Sequence, residues 1–212
     1  MEQLSLNDYS AASAALPMIA AAINFRHIDR VLVVAVFYFL AAALFELILM
    51  LSMRAGLANN MPLIHLFIAL SLSLFSVLYY RAFQSKTLQR LVLFLGPASV
   101  LAVIVSSLFI GGIWVYPSFS NTLQSVVLMS FSLLFFYQIF TRQEYVHIEK
   151  QAMFWINSGV LIYFSVNIFL FMLFDLVIVQ QQEELYAIHL IINIFSNILY
   201  ATGLLCKPQK TT

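Results

Sequence analysis

Four ionisable side chains lie inside apolar runs of this chain: Glu46, His65, Asp175 and His189. A charge in hydrocarbon is costly, so such groups face a bundle interior, where they pair, bind a ligand or relay protons. His65 is four residues past Met61 and His189 four past Leu185, while Glu46 is seven before Met53 and Asp175 four before Val179. At about 1.5 Å per residue along a helix, all four fall at a similar depth. Two histidines and a carboxylate form a ligand set that zinc accepts with one position left open. Glu46, His65 and His189 are therefore candidate metal ligands, with Asp175 as the alternative carboxylate. Two histidines by themselves, His65 and His189, permit axial ligation of a haem b. A proton or ligand site is a third use, and a structural Glu46–His pair a fourth. Retinal is excluded. It needs a lysine for its Schiff base, and Lys86, Lys150, Lys207 and Lys210 all lie outside the apolar runs.

Amides and hydroxyls extend the pattern. At about 100° per residue, Tyr186, His189, Asn193, Ser196, Asn197 and Tyr200 form one stripe. Asn157 and Asp175 lie on one line, with Asn167 to one side. His65, Ser73, Ser76 and Tyr80 share a face, as do Ala35, Ala42, Ala43 and Glu46. Such stripes serve either as interhelical hydrogen-bond seams or as the lining of a binding surface. The connection 180–184 is short, so the last two segments are antiparallel neighbours. Asn157 and Asn167 are therefore expected to meet Asn193 and Asn197 across that interface.

The elements that must position these groups are transmembrane helices. The chain is 63% hydrophobic and 9% charged, with a mean hydropathy of +0.96. A soluble domain carries about a quarter of charged residues, so most of this surface must face lipid. A crossing helix needs about 20 apolar residues. Segments 30–53, 61–83, 88–112, 118–141, 152–179 and 185–206 qualify, and 9–25 is a shorter seventh. The expected fold is one all-α domain over 1–212, a seven-transmembrane-helix bundle. Glu2 and Asp8 precede segment 9–25 in place of basic residues, which argues against a signal peptide.

Charge sets the orientation. Of ten Lys and Arg residues, nine fall in alternate connections: Arg26, Arg30, Arg81, Lys86, Arg90, Arg142, Lys150, Lys207 and Lys210. The other side has Arg54, with Glu2, Asp8, Glu183 and Glu184. Basic loops stay in the cytoplasm. The N-terminus is expected outside and the C-terminus inside, in the cell (inner) membrane. Trp114 and Trp155 sit at opposite interfaces, where amphipathic rings belong. Gly96-Pro97 is expected to kink the fourth segment, and Pro17 the first. The single Cys206 excludes an internal disulfide and any multi-cysteine metal site. A net charge of +1 gives no reason to expect nucleic acid as a partner.

The run Phe154-Trp155-Ile156-Asn157-Ser158-Gly159-Val160-Leu161-Ile162-Tyr163-Phe164-Ser165-Val166-Asn167 resembles one in uncharacterised bacterial seven-transmembrane-helix membrane proteins. The pattern His189-x-x-x-Asn193-x-x-x-Asn197 and the pair Asn59-Asn60 ahead of His65 are similar to that group as well. Some of its members are fused to sensor kinase modules, so the resemblance implies a signalling context. It implies no activity. The expected role is a non-catalytic sensory, signalling or complex-forming component, with the bilayer and other membrane or cytoplasmic proteins as partners. The alternatives are an intramembrane metal-dependent lipid hydrolase and a haem b electron-transfer subunit. Seven-helix hydrolases of the ceramidase and progestin-receptor type carry two histidines four residues apart in the last helix; here that pair is His189 and Asn193.

Overall fold

The computed structural model describes residues 5–56, 59–141, 147–172 and 183–207, and among them every regular element is helical. Six helices are long and apolar enough to cross a membrane: Arg30–Ser52, Met61–Ala82, Lys86–Ile110, Ser118–Thr141, Ala152–Met172 and Leu185–Leu205. In chain order the α-helices are α1 (Leu6–Ser13), α2 (Ala15–Ile23), α3 (Arg30–Arg54), α4 (Met61–Ala82), α5 (Lys86–Val105), α6 (Ser118–Thr141), α7 (Ala152–Met172) and α8 (Glu183–Leu205).

The expected first segment, 9–25, is two short helices broken at Ala14, where a kink at Pro17 was expected. Proline lacks an N–H and its ring crowds the carbonyl four residues back. Pro17 therefore works against helix at Ser13, and the chain turns at Ala14. The break leaves Pro17 in the first turn of α2, where a proline costs little. Ser5 caps α1: its N–H and Oγ–H both donate to Asp8 Oδ2, at 2.8 and 2.9 Å. Those bonds hold the Asp8 carboxyl below its ordinary value.

Together α1 and α2 lie along α8 and run in the same sense. Asn193 Nδ2 donates to Ser10 Oγ at 2.9 Å and Asn197 Nδ2 to Ser13 Oγ at 2.9 Å. Asn24 Nδ2 donates to the Leu204 carbonyl at 2.8 Å. The other helices alternate up and down. One end of the bundle collects Arg26, Arg30, Arg81, Lys86, Arg90, Lys150 and Lys207; the other has Arg54. Since hydrogen bonds between membrane helices average about 0.6 kcal/mol, Asn197→Leu should lower overall stability only slightly. Its visible effect should be faster backbone hydrogen exchange in 6–23, measured by mass spectrometry. Unchanged exchange there would show that the Asn197–Ser13 bond does not hold α1.

α4 packs against α3, α5 and α6, and α7 against α6 and α8. The core is aromatic, with ring centroids 4.3 Å apart for Tyr38–Phe75 and 4.8 Å for Phe39–Tyr200. Tyr79, Phe75 and Phe131 are buried with them, while Phe94, Phe109, Phe140 and Phe169 cover the outside. At the α7–α8 contact there is no room for side chains. A Cβ on Gly203 would lie 2.7 Å from the Ala152 carbonyl oxygen, and one on Gly159 would lie 2.5 Å from the Tyr200 ring. Small residues at such crossings let backbones approach.

The fourth segment was expected to end at Gly111-Gly112. α5 passes through Pro97 and ends at Val105, and a π-turn over Ser106–Ile110 carries the chain on to Gly111. The widened turn leaves Ser106 and Ser107 buried against the bundle. α7 is described as far as Met172, so 173–179 of the expected sixth segment, Asp175 included, lies outside the described residues.

Candidate functional site

The interior polar groups separate into those that bond one another and a smaller set that does not. His65 belongs to the first. Its Nδ1 lies 2.6 Å from Ser107 Oγ and its Nε2 3.0 Å from the Val115 carbonyl. A carbonyl only accepts, so Nε2 carries the proton, and both ring nitrogens are engaged. His65 thus ties α4 to the π-turn and to the connection before α6. The Asn59 amide adds to this, donating to the Trp114 carbonyl at 2.8 Å.

Asn157 is also satisfied, though not by α8. Tyr79 Oη donates to Asn157 Oδ1 at 2.7 Å, and Asn157 Nδ2 donates to the Ser132 carbonyl at 3.1 Å. Ser132 Oγ returns a bond to the Asn157 carbonyl at 3.1 Å. Both side chains of the Tyr79–Asn157 pair are sealed, at 0% exposure each. The network joins α4, α6 and α7. Gln124 Nε2 reaches Ser71 Oγ at 2.8 Å, linking α6 to α4. The expected meeting of Asn157 and Asn167 with Asn193 and Asn197 does not form: the two α8 amides turn to Ser10 and Ser13. An amide on α8 has polar partners on either side, and the broken α1–α2 pair supplies the nearer hydroxyls.

Asn167 does bridge to α8, but to the histidine. His189 Nδ1 donates to Asn167 Oδ1 at 2.9 Å, while Asn167 Nδ2 donates to the Tyr163 carbonyl at 2.9 Å. With its proton on Nδ1, His189 presents Nε2 as a bare lone pair, and no described residue bonds it. Three rings contact the part-exposed imidazole: Tyr186 stacked at 6.0 Å, Tyr163 edge-on at 6.1 Å and Phe171 edge-on at 6.2 Å. Glu46 of α3 lies within Coulombic range of the Tyr163 and Tyr186 phenols. Its carboxylate makes no hydrogen bond or ion pair among the described residues, and it is exposed on the bundle surface. Among the described residues no hydrogen bond joins Glu46 to His65 or His189.

This geometry bears on the cofactor readings. The described residues contain no group of three or more His, Cys, Asp or Glu placed to hold a metal ion. Glu46, His65 and His189 thus do not fit a zinc centre as a set. Haem b fits no better, because an axial ligand needs a bare nitrogen and both of those on His65 are hydrogen-bonded.

Ser107, Tyr79, Ser132, Tyr163 and Phe171 escaped the sequence reading. Gln124 was legible in principle, as a carboxamide in the middle of an apolar helix. The rest were common residue types whose partners lie 18 to 78 positions away. No family model, no curated protein and no solved structure matches the chain.

Proposed function

We propose that this chain is a seven-crossing membrane bundle that acts as a non-catalytic sensory component, passing a small-ligand signal to a partner protein. One observation carries the reading: His189 offers a ring nitrogen that no described residue bonds, set among three aromatic rings. An acceptor without a partner in a low-dielectric bundle favours a donor group from outside. The polar groups elsewhere in the bundle bond chiefly to one another, which suits a rigid scaffold holding one recognition site. The resemblance to bacterial seven-helix proteins joined to kinase modules supports the same signalling role. The site lies at the end opposite the basic residues, so an outside N-terminus puts it within reach of the cell exterior.

Diethylpyrocarbonate, which acylates neutral imidazole nitrogens, tests the site. Added outside sealed right-side-out vesicles, it should modify His189 and leave His65 unmodified, read by peptide mass spectrometry. His189→Phe should keep the ring contacts, lower the melting temperature by a few degrees because Asn167 Oδ1 loses its donor, and abolish ligand-induced shifts in a small-molecule thermal screen. An unreactive His189, or ligand responses that survive His189→Phe, would remove the recognition role.

Sidedness has its own test. The basic residues predict that reporter fusions at Asn59 and Lys207 report opposite sides, with Lys207 cytoplasmic. Both on one side would overturn the seven-crossing topology and leave the His189 geometry untouched.

A further inference from the structure

The basic end of the bundle contains a cavity of about 540 Å³, far from His189. Its rim includes Arg81 from α4, Lys150 from the turn before α7, Lys207 after α8, and His27 before α3. The inner wall is apolar, formed by Leu32, Phe135, Ile139 and Met153. One carboxylate, Asp29, borders the cavity, and it is already used. Its Oδ1 accepts the Val31 and Leu32 amides at 2.8 Å each, capping α3.

Three cationic side chains face one carboxylate at this rim. Arg81 spends Nη1 on the Arg30 carbonyl at 2.8 Å, and no described residue accepts from its other guanidinium nitrogens. Gln151 lines the cavity, and its Nε2 is buried with no acceptor. α7 starts at Ala152, and the amides of Ala152 and Met153 have no acceptor within the helix. Helix N-termini of this kind attract anions. Three cations and a helix start surround one opening, and its floor is hydrocarbon.

We propose that this cavity binds a phosphate group, and that its natural bearer is an anionic phospholipid, with the phosphodiester at the Arg81–Lys150–Lys207 rim and an acyl chain against the apolar wall. A free phosphate shares the head chemistry, but it leaves the apolar wall unfilled. The inference rests on the membrane reading of the chain and not on its sidedness or on His189.

Native mass spectrometry of the full chain in detergent tests it, using phosphatidylglycerol, phosphatidylcholine of the same chain length, and inorganic phosphate. Phosphatidylglycerol should bind at least tenfold more tightly than phosphatidylcholine. Its affinity should fall about fivefold for each cation removed in Arg81→Gln, Lys150→Gln and Lys207→Gln. Displacement of the lipid by millimolar inorganic phosphate would assign the rim to soluble phosphate instead. Equal binding of the two lipids, or full affinity in the triple variant, would overturn the proposal. Should the triple variant fail to fold, the wild type decides, because its preference for phosphatidylglycerol must shrink as salt is raised. Titration in detergent is blind to sidedness, so its failure is distinguishable from failure of the topology test.

Discussion

Gly203→Val should be the most damaging single substitution in the bundle, lowering the melting temperature in detergent by about 6–12 °C. The first added carbon would meet the Ala152 carbonyl oxygen at 2.7 Å and Ile156 Cγ1 at 2.8 Å. The side chain of Ile156 can rotate, but a backbone oxygen moves only with its helix. Inserting side-chain volume into a packed contact costs about 1–3 kcal/mol, and more when the backbone must shift. For a domain of this size each kcal/mol is worth about 2–4 °C. Gly159→Ala should cost less, since its obstacle is the Tyr200 ring, which is held by stacking on Phe39 and not by covalent geometry. If Gly203→Val melts within a degree or two of wild type, the close approach of α7 and α8 is not real.

Asn157→Leu should have the next largest effect. Leucine matches asparagine in size but leaves the Tyr79 hydroxyl with no acceptor in a fully buried position. A stranded buried donor costs about 1–3 kcal/mol. Membrane helices recover part of this, because the unfolded state also finds partners. A fall of about 3–6 °C is expected. Adding Tyr79→Phe removes the stranded hydroxyl, so the double variant should regain at least half of the loss. Strictly additive effects in that thermal double-mutant cycle would show that the two side chains do not interact.

The helical class and the six long spans were legible because each follows from composition over some twenty residues, a signal no single contact can reverse. The first segment breaks where its proline predicts: Pro17 acts on the turn before it, and the Ser10 and Ser13 hydroxyls accept from Asn193 and Asn197 on α8. The depth of Glu46, His65 and His189 could be counted from the sequence, but depth does not fix direction around a helix bundle. His65 turned toward Ser107, whose position depends on a π-turn, and a π-turn shifts every later residue by one place relative to helical spacing. Asn167 and His189 were placed on facing helices and do meet, yet through a pairing that stripe geometry alone did not single out. Hydrogen-bond choice among several nearby polar groups depends on ångström-scale register, which periodicity does not carry.

The alignment of α1 and α2 along α8 also sets an order of events during synthesis. The bonds that hold Ser10, Ser13 and Asn24 reach residues 183, 184 and 180 positions later. At about 5–20 residues per second, the N-terminal pair waits roughly 10–40 s before its partner helix exists. Neither half is long enough to cross a bilayer, and α1 brings Asn7, Asp8, Ser10 and Ser13 with it. Until α8 arrives the pair lacks the partners of Ser10, Ser13 and Asn24. Residues 6–23 are thus made well before the helix that fixes them. Truncation before Asn193 therefore removes more than the final span: it also leaves the opening segment without its partner.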